Sequence, residues 1–219
     1  MRSLWLMVCM VLAGCATTTH PIPNEILWAS ASAERRAIFH EVYAQATTSA
    51  RSLSAGLPPG SWGVVLDVDD TILDTSVYNM ELAKKGKRYT MPTWNAWILE
   101  GSAPLLPGAK EFIDVVIDEL HGHVVLVTNR EQSQCPVTEE NLHAVGVRYD
   151  RILCKATEDS NKNPRFQSVI DGTPPLNVIM WVGDNIQDFP GLSQQHIGDP
   201  KNFGTRYFAL PNPTYGSWQ

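Results

Sequence analysis

The segment Val64-Val65-Leu66-Asp67-Val68-Asp69-Asp70-Thr71 releases two acids at the exit of a short apolar run. Asp67 and Asp69 are one residue apart, so in extended chain both project to the same side. Two carboxylates held together repel unless a cation sits between them. The pair is therefore a candidate metal-assisted nucleophile and acid/base. Two later apolar runs also end in polar groups: Val124–Val127 at Thr128-Asn129-Arg130, and Asn177–Val182 at Gly183-Asp184.

The elements around these runs predict how the groups are brought together. Trp62–Leu66, Val124–Val127, Ile152–Cys154 and Asn177–Val182 read as strands. Trp62–Leu66 is apolar apart from Gly63, as suits a strand buried on both faces. From Ser30 to about Leu53, Ile38, Val42, Ala46, Ala50 and Leu53 recur at helical spacing, and Gly56-Leu57-Pro58-Pro59-Gly60 stops that helix. Residues 76–106 hold Tyr78, Trp94, Trp97 and several Lys/Arg without strand alternation, which predicts a helical insertion (about 75–106). Pro107-Gly108 opens a helix with a Phe112, Val115, Val116, Leu120 stripe, and Gly122 takes its C-terminal cap. Thr138 is expected to cap a helix that runs through Val145 to Gly146. Asn163-Pro164 starts another in cap-then-proline order. Alternating strands and helices predict an α/β fold, a parallel sheet with helices on both faces. Ligands bind beyond the carboxyl ends of such strands, where Asp67, Thr128 and Asp184 all fall.

The N-terminal residues read as a processing signal. Arg2 is followed by an apolar stretch, Leu4–Leu12, too short to span a bilayer. Leu12-Ala13-Gly14-Cys15 matches the bacterial lipoprotein cleavage box, which predicts removal of residues 1–14 and acylation of Cys15. Ala16 favours the outer membrane, and residues 15–25 read as a lipidated tether. Residues 26–61 then form an N-terminal helical region ahead of a core at 62–219. The net charge of −6 and the lack of a Lys/Arg cluster argue against a nucleic-acid polymer as partner. An acidic chain that handles anions must concentrate positive charge locally. Cys135 and Cys154 have two readings, a disulfide or two unpaired thiols, and no CxxC or Cys/His cluster points to zinc.

Taken together, Asp67-Val68-Asp69-Asp70-Thr71, Val127-Thr128-Asn129-Arg130, Lys162 and Gly183-Asp184-Asn185-Ile186-Gln187-Asp188 resemble the haloacid dehalogenase-like (HAD) superfamily. The lipoprotein box, Ser160-Asn161-Lys162 with Arg165-Phe166, Asp188-Phe189, Leu210-Pro211-Asn212 and Tyr215-Gly216 narrow the resemblance. They are similar to bacterial lipoprotein class C acid phosphatases, a group that includes outer-membrane 5′-nucleotidases.

That resemblance implies a Rossmann-like sheet and a Mg²⁺-dependent phosphomonoesterase with an acidic optimum. It implies Asp67 as the nucleophile forming an aspartyl-phosphate and Asp69 as general acid, then base. Asp67, the Asp69 carbonyl and Asp184 would hold Mg²⁺, with Asp188 in support. Thr128 and Lys162 would stabilise the transferring phosphoryl group, with Lys155 the rival cation. Asn129, Arg130 and Arg165 fall at the substrate. Trp97 and Tyr215, with Tyr78, are the expected aromatic clamp for a nucleotide base or ring, while Trp94 and Trp218 are expected to cement the insertion. The substrate would be a small phosphomonoester, nucleotides foremost. A phosphotransferase, a catalytically silent surface-binding lipoprotein and a homodimer stay open. Asp69 argues against a true dehalogenase. None of the six histidines lies in the Arg-His-Gly cluster of histidine-nucleophile phosphatases.

Overall fold

The computed structural model describes residues 21–219, so the signal, Cys15 and most of the tether lie outside the described residues. Chain order is α1 (Asn24–Ala31), α2 (Ala33–Ser54), β1 (Trp62–Leu66), α3 (Ser76–Lys84), α4 (Met91–Ile98) and α5 (Ala109–Asp114), which continues as a π-turn over Val115–Glu119. Then follow β2 (His123–Glu131), α6 (Cys135–Ala144), β3 (Arg151–Lys155), α7 (Asn163–Ile170), β4 (Asn177–Gly183) and β5 (Tyr207–Ala209). The five strands form one sheet in the order β3-β2-β1-β4-β5, and every pairing is parallel.

The alternation of strand side chains divides the core into two layers. Val64 and Leu66 of β1 and Val124 and Leu126 of β2 join α2, α5 and the insertion on one face. Val65, Val125, Val127 and Trp181 meet Phe166 and Val169 of α7 on the other. Each fully buried Val or Leu contributes about 1.5–3 kcal/mol, so β1, buried along its whole length, is fixed in the middle of the sheet. Two irregularities matter. In β4, Ile179 is passed over in the register against β1. In β2, the pairing with β3 slips between Val127 and Glu131, which frees Thr128-Asn129-Arg130 to turn away from the ladder. Bulges commonly re-aim side chains in this way beside functional sites.

Several expectations need correction. Helix α1 begins at Asn24, inside the span 15–25 that was expected to be a tether. The predicted long helix is broken at Ser32, whose side chain accepts from Arg35 N at 3.0 Å and caps α2. Its buried face carries Arg35, Phe39, Tyr43, Ala46 and Ala50, while Ile38 is 36% exposed. Ala46 and Ala50 face the core as expected, while nearer the start of the helix Phe39 and Tyr43 are buried in place of Ile38 and Val42, in line with the buried Arg35. Gly122 does not supply the left-handed cap: His121 does, at φ 55. Gly122 is small because the Trp62 indole occupies the space a Cβ would need. Thr138 lies inside α6, not at its start, and donates to Gln134 O at 2.9 Å. Strand β5 was not foreseen: three residues give too little pattern. Cys135 and Cys154 form a disulfide, which ties α6 to β3. No helix among the described residues is long and apolar enough to cross a membrane.

Candidate active site

The carboxyl ends of β1, β2 and β4 deliver their polar groups to one cavity of about 510 Å³. Asp67 follows β1 directly, and its N–H donates to Val182 O of β4 at 3.0 Å, which sets the acid at the centre of the sheet edge. Asp67, Asp184 and Asp188 each bring a carboxylate oxygen within 4.8 Å of the other two. Lys162, one residue ahead of α7, is 3% exposed. It donates to Asp67 and, at 2.6 Å, to Asp188.

Burial pushes the Asp67 carboxyl up to about 7. Lys162 opposes that rise, and Asp188 and Asp69 add to it. Burial followed by the charges of Asp188, Asp67 and Asp70 holds Asp184 well above the usual carboxylate range. For Lys162, burial works against the charge, yet Asp188 and Asp67 raise its pKa. One ammonium thus serves two carboxylates of a cluster of three. The donor set is all oxygen, acidic and crowded, and it fits a hard divalent cation such as Mg²⁺.

Asp69 points to a separate partner. The Arg130 guanidinium donates through Nε to both Asp69 oxygens at 3.1 Å and through one terminal nitrogen at 2.7 Å. Its other terminal nitrogen reaches Thr138 Oγ1 at 3.1 Å. Arg130 is 2% exposed and lines the cavity, with its guanidinium turned onto Asp69 and Thr138. The Asp69 carboxylate stands outside the three-acid cluster. Arg165 is also spent on the chain: it donates to Thr128 O and to Asn129 Oδ1 and fixes the bulge. Thr128 is fully buried, its Oγ1 accepting from Arg130 N at 3.1 Å. Neither Thr128 nor Arg165 lines the cavity, whereas Asn129 does.

The aromatic residues change places. Trp94, Tyr78, Tyr89 and Tyr215 line the cavity, and Trp97 does not. Trp97 is 6% exposed and stacks behind Trp94, ring centroids 5.4 Å apart. It is the cement and Trp94 the wall, the reverse of expectation. The two lie three residues apart on α4, so the spacing did not say which faced the opening. Tyr78 touches both rings and its hydroxyl pairs with Thr93 at 2.8 Å. Trp218 is exposed. The amides of Asn79, Asn95 and Gln134 complete the wall.

Sequence reasoning gave no role to three other residues, Asp70, Arg35 and Asn212. Asp70 takes a left-handed conformation at φ 51, which a short polar residue tolerates best. Three groups hold it there: Thr75 Oγ1 at 2.5 Å, Arg35 at 3.1 Å and Asn212 at 3.4 Å. The available signal for Arg35 was its spacing, four residues ahead of Phe39 and eight ahead of Tyr43. Asn212 sits in an irregular segment where no periodicity applies.

A family model described as "HAD superfamily, subfamily IIIB (Acid phosphatase)" matches residues 14–218. The chain belongs to this family. Among solved structures, the class C acid phosphatase from Bacillus anthracis superposes with a TM-score of 0.80 at 27% identity, covering 89% of this chain and 84% of that one. A structure of the same enzyme with tungstate bound gives 0.79 at 26% identity, with the same coverage. Vegetative storage protein 1 of Arabidopsis thaliana is 24% identical over 160 residues, which are 69% of this chain and 54% of that protein. The chain therefore spans about half the length of the curated relative it matches.

Proposed function

We propose that this subfamily IIIB chain is a phosphomonoesterase that hydrolyses small phosphate esters through an aspartyl-phosphate on Asp67. The observation that carries the reading is the convergence of Asp67, Asp184 and Asp188 on one point, two of them bound by Lys162, with the Asp69 carboxylate held on the same cavity by Arg130. The class C acid phosphatase likeness supports it. So does the tungstate bound by that relative, a tetrahedral oxoanion like phosphate.

Asp67 attacks phosphorus in line as the P–O ester bond breaks. Asp69, held by Arg130, gives a proton to the departing alkoxide, and later takes one from the water that attacks the aspartyl-phosphate. Lys162 places an ammonium beside the nucleophile and offsets charge on the phosphoryl oxygens. Asp67, Asp184 and Asp188 would hold Mg²⁺, which when bound relieves their repulsion and neutralises phosphate charge. The cavity wall of Trp94, Tyr78, Tyr89 and Tyr215 favours an aromatic leaving group, nucleosides included, since stacking accepts any base. The Leu12-Ala13-Gly14-Cys15 box further suggests an outer-membrane lipoprotein anchored through Cys15, with its substrates outside the inner membrane.

The test is phosphate release from 5′-nucleotides, aryl phosphates and sugar phosphates, with and without EDTA, beside Asp67→Asn. The expected result is hydrolysis lost in the variant, lost with EDTA and restored by Mg²⁺. Turnover that ignores both the chelator and the substitution overturns the mechanism. Equal rates on aromatic and sugar esters overturn the stacking wall alone.

A further inference from the structure

We infer that Asn212 is a positioning residue: its amide fixes the Asp184 carboxylate for the cation and ties that grip to the wall of the cavity. The inference rests on the reading of Asp67, Asp184 and Asp188 as a cation site. Asn212 Nδ2 donates to Asp184 Oδ2 at 2.7 Å and reaches Asp70 Oδ2 at 3.4 Å. The amide cannot turn over to offer its oxygen instead, because Asn212 Oδ1 already accepts from Thr214 N at 3.0 Å and from Thr214 Oγ1 at 2.7 Å. Its orientation is thus set by the segment that carries it.

That segment follows β5 and is anchored on both sides of the opening. Leu210 N donates to Gly183 O at 2.9 Å, which places the segment beside the end of β4. Asn79 of α3 reaches Thr214 Oγ1 at 3.4 Å, and Ser217 Oγ donates to Asn185 Oδ1 at 2.8 Å. Between these ties, Thr214, Tyr215 and Gly216 line the cavity. One stretch of backbone therefore carries both the group that orients Asp184 and the aromatic wall.

Asp184 needs such a partner. It lies within reach of Asp67 and Asp188, and the charges of Asp188, Asp67 and Asp70 all act on it. A carboxylate with one oxygen pinned by an N–H keeps the other turned to a ligand, whereas an unpinned one rotates away from its neighbours. Groups that orient a metal-binding side chain in this way are worth about 10–100-fold in metal affinity.

The experiment measures Mg²⁺ binding to the purified chain by isothermal titration calorimetry, in wild type, Asn212→Leu and Thr214→Val. Asn212→Leu removes the donor at similar volume. Thr214→Val keeps the amide and the backbone donor to its oxygen but deletes the shorter of the two hydrogen bonds that stop it turning. The expected result is a Kd weakened about 10–100-fold in Asn212→Leu and by a smaller factor in Thr214→Val. In Asn212→Leu the KM for aryl phosphate at saturating Mg²⁺ should move less than about threefold, since Asn212, unlike Thr214, does not line the cavity. A merely structural role would lower the metal-free melting temperature and leave the Kd alone. A Kd within about threefold of wild type in both variants overturns the inference, and Thr214→Val decides it if Asn212→Leu fails to fold. No heat of Mg²⁺ binding in wild type would instead reject the cation site itself, a distinguishable result.

Discussion

The guanidinium of Arg130 closes on both oxygens of Asp69 at 2.7–3.1 Å, two residues downstream of Asp67, the proposed nucleophile. Arg130 stands on the β2 irregularity and Asp69 on the turn after β1, so the pair bolts two neighbouring strand ends together. Positioned proton transfer contributes roughly 10²–10⁴-fold to a rate, and a misplaced acid forfeits it. Arg130→Met should lower kcat at least about 10²-fold, with a smaller change in KM. Arg130→Lys should not restore it, because a single ammonium cannot reproduce the planar fork. Steady-state kinetics on aryl phosphates check this, and a kcat within a few-fold of wild type in Arg130→Met would sink the positioning role.

The metal-free protein should lose stability as pH rises through the weakly acidic range. Burial pushes Asp67 up to about 7 and Asp70 up to about 6, from 3.8 for either acid unperturbed. Between 3.8 and these values the folded chain binds more protons than the unfolded one, so its stability falls with rising pH, and Asp184, also raised by burial and its acidic neighbours, carries the fall further in the same direction. Chelated protein should melt several degrees lower at pH 7.5 than at pH 5. Added Mg²⁺ should raise the melting temperature more at pH 7.5, where it meets less competition from protons. Scanning calorimetry across pH checks both, and a chelated protein that gains stability over that interval contradicts the assignment.

How much of this was legible beforehand follows the physics of each signal. β1, β2 and β4 are buried on both faces and read as continuous apolar runs, so their ends, with Asp67, Thr128 and Asp184, were fixed by hydrophobicity alone. Lys162 and Asp188 came from the wider motif and meet at 2.6 Å. What failed depended on which way a side chain faces in irregular backbone. Arg130 was placed at the substrate by the Val127-Thr128-Asn129-Arg130 motif and does line the cavity, but its grip on Asp69 depends on the bulge in β2 and had no sequence signal. Trp94 and Trp97 were interchanged because the tilt of α4 decides exposure. Arg35 was invisible to a hydrophobic count since its packing depends on Asp70 and Asp74, more than thirty residues away.

Arg35 is the hinge between the N-terminal helices and the catalytic turn. It donates to Ala29 O at 2.6 Å, Asp74 at 3.1 Å and Asp70 at 3.1 Å, and is 6% exposed. Removing one partner of a buried ion pair costs about 3–5 kcal/mol. For a domain of this size that corresponds to a fall in melting temperature of roughly 6–20 °C for Arg35→Met. Arg35→Met with Asp70→Asn should recover part of the loss, because the uncompensated charge is gone. A double variant as unstable as the sum of the two singles would argue that the pair is not coupled.

The Cys135–Cys154 disulfide closes a short loop, the two residues being 19 apart in sequence. Crosslinks of that length contribute about 3 kcal/mol. Cys135→Ala with Cys154→Ala, or the reduced wild type, should melt roughly 6–12 °C lower. Neither cysteine lines the cavity, so kcat at 25 °C should stay within about twofold of wild type. Calorimetry with and without reductant, beside an activity assay, separates the two. A large loss of kcat without loss of stability would mean that the bond holds the cavity wall rather than the fold.

Gly183, the last residue of β4, has no room for a side chain. A Cβ built there overlaps Asp188, its carboxyl carbon only 2.6 Å away, and Asp188 is held in place by Lys162 at 2.6 Å and Asn185 N at 2.9 Å. In Gly183→Ala the carboxylate must swing out, which leaves Lys162 to Asp67 alone and takes one acid from the cation site. The strand stays paired on both sides, so the variant should fold. Its Mg²⁺ affinity should drop by about tenfold or more, and its kcat/KM with it. Gly191→Ala is the control: Gly191 has φ 72 with nothing within 4 Å of the added carbon, so it carries backbone strain of about 1 kcal/mol without the collision. Calorimetric Kd values should therefore separate the two alanine variants even where their melting temperatures agree. Wild-type Mg²⁺ affinity in Gly183→Ala would show that Asp188 is dispensable to the cluster.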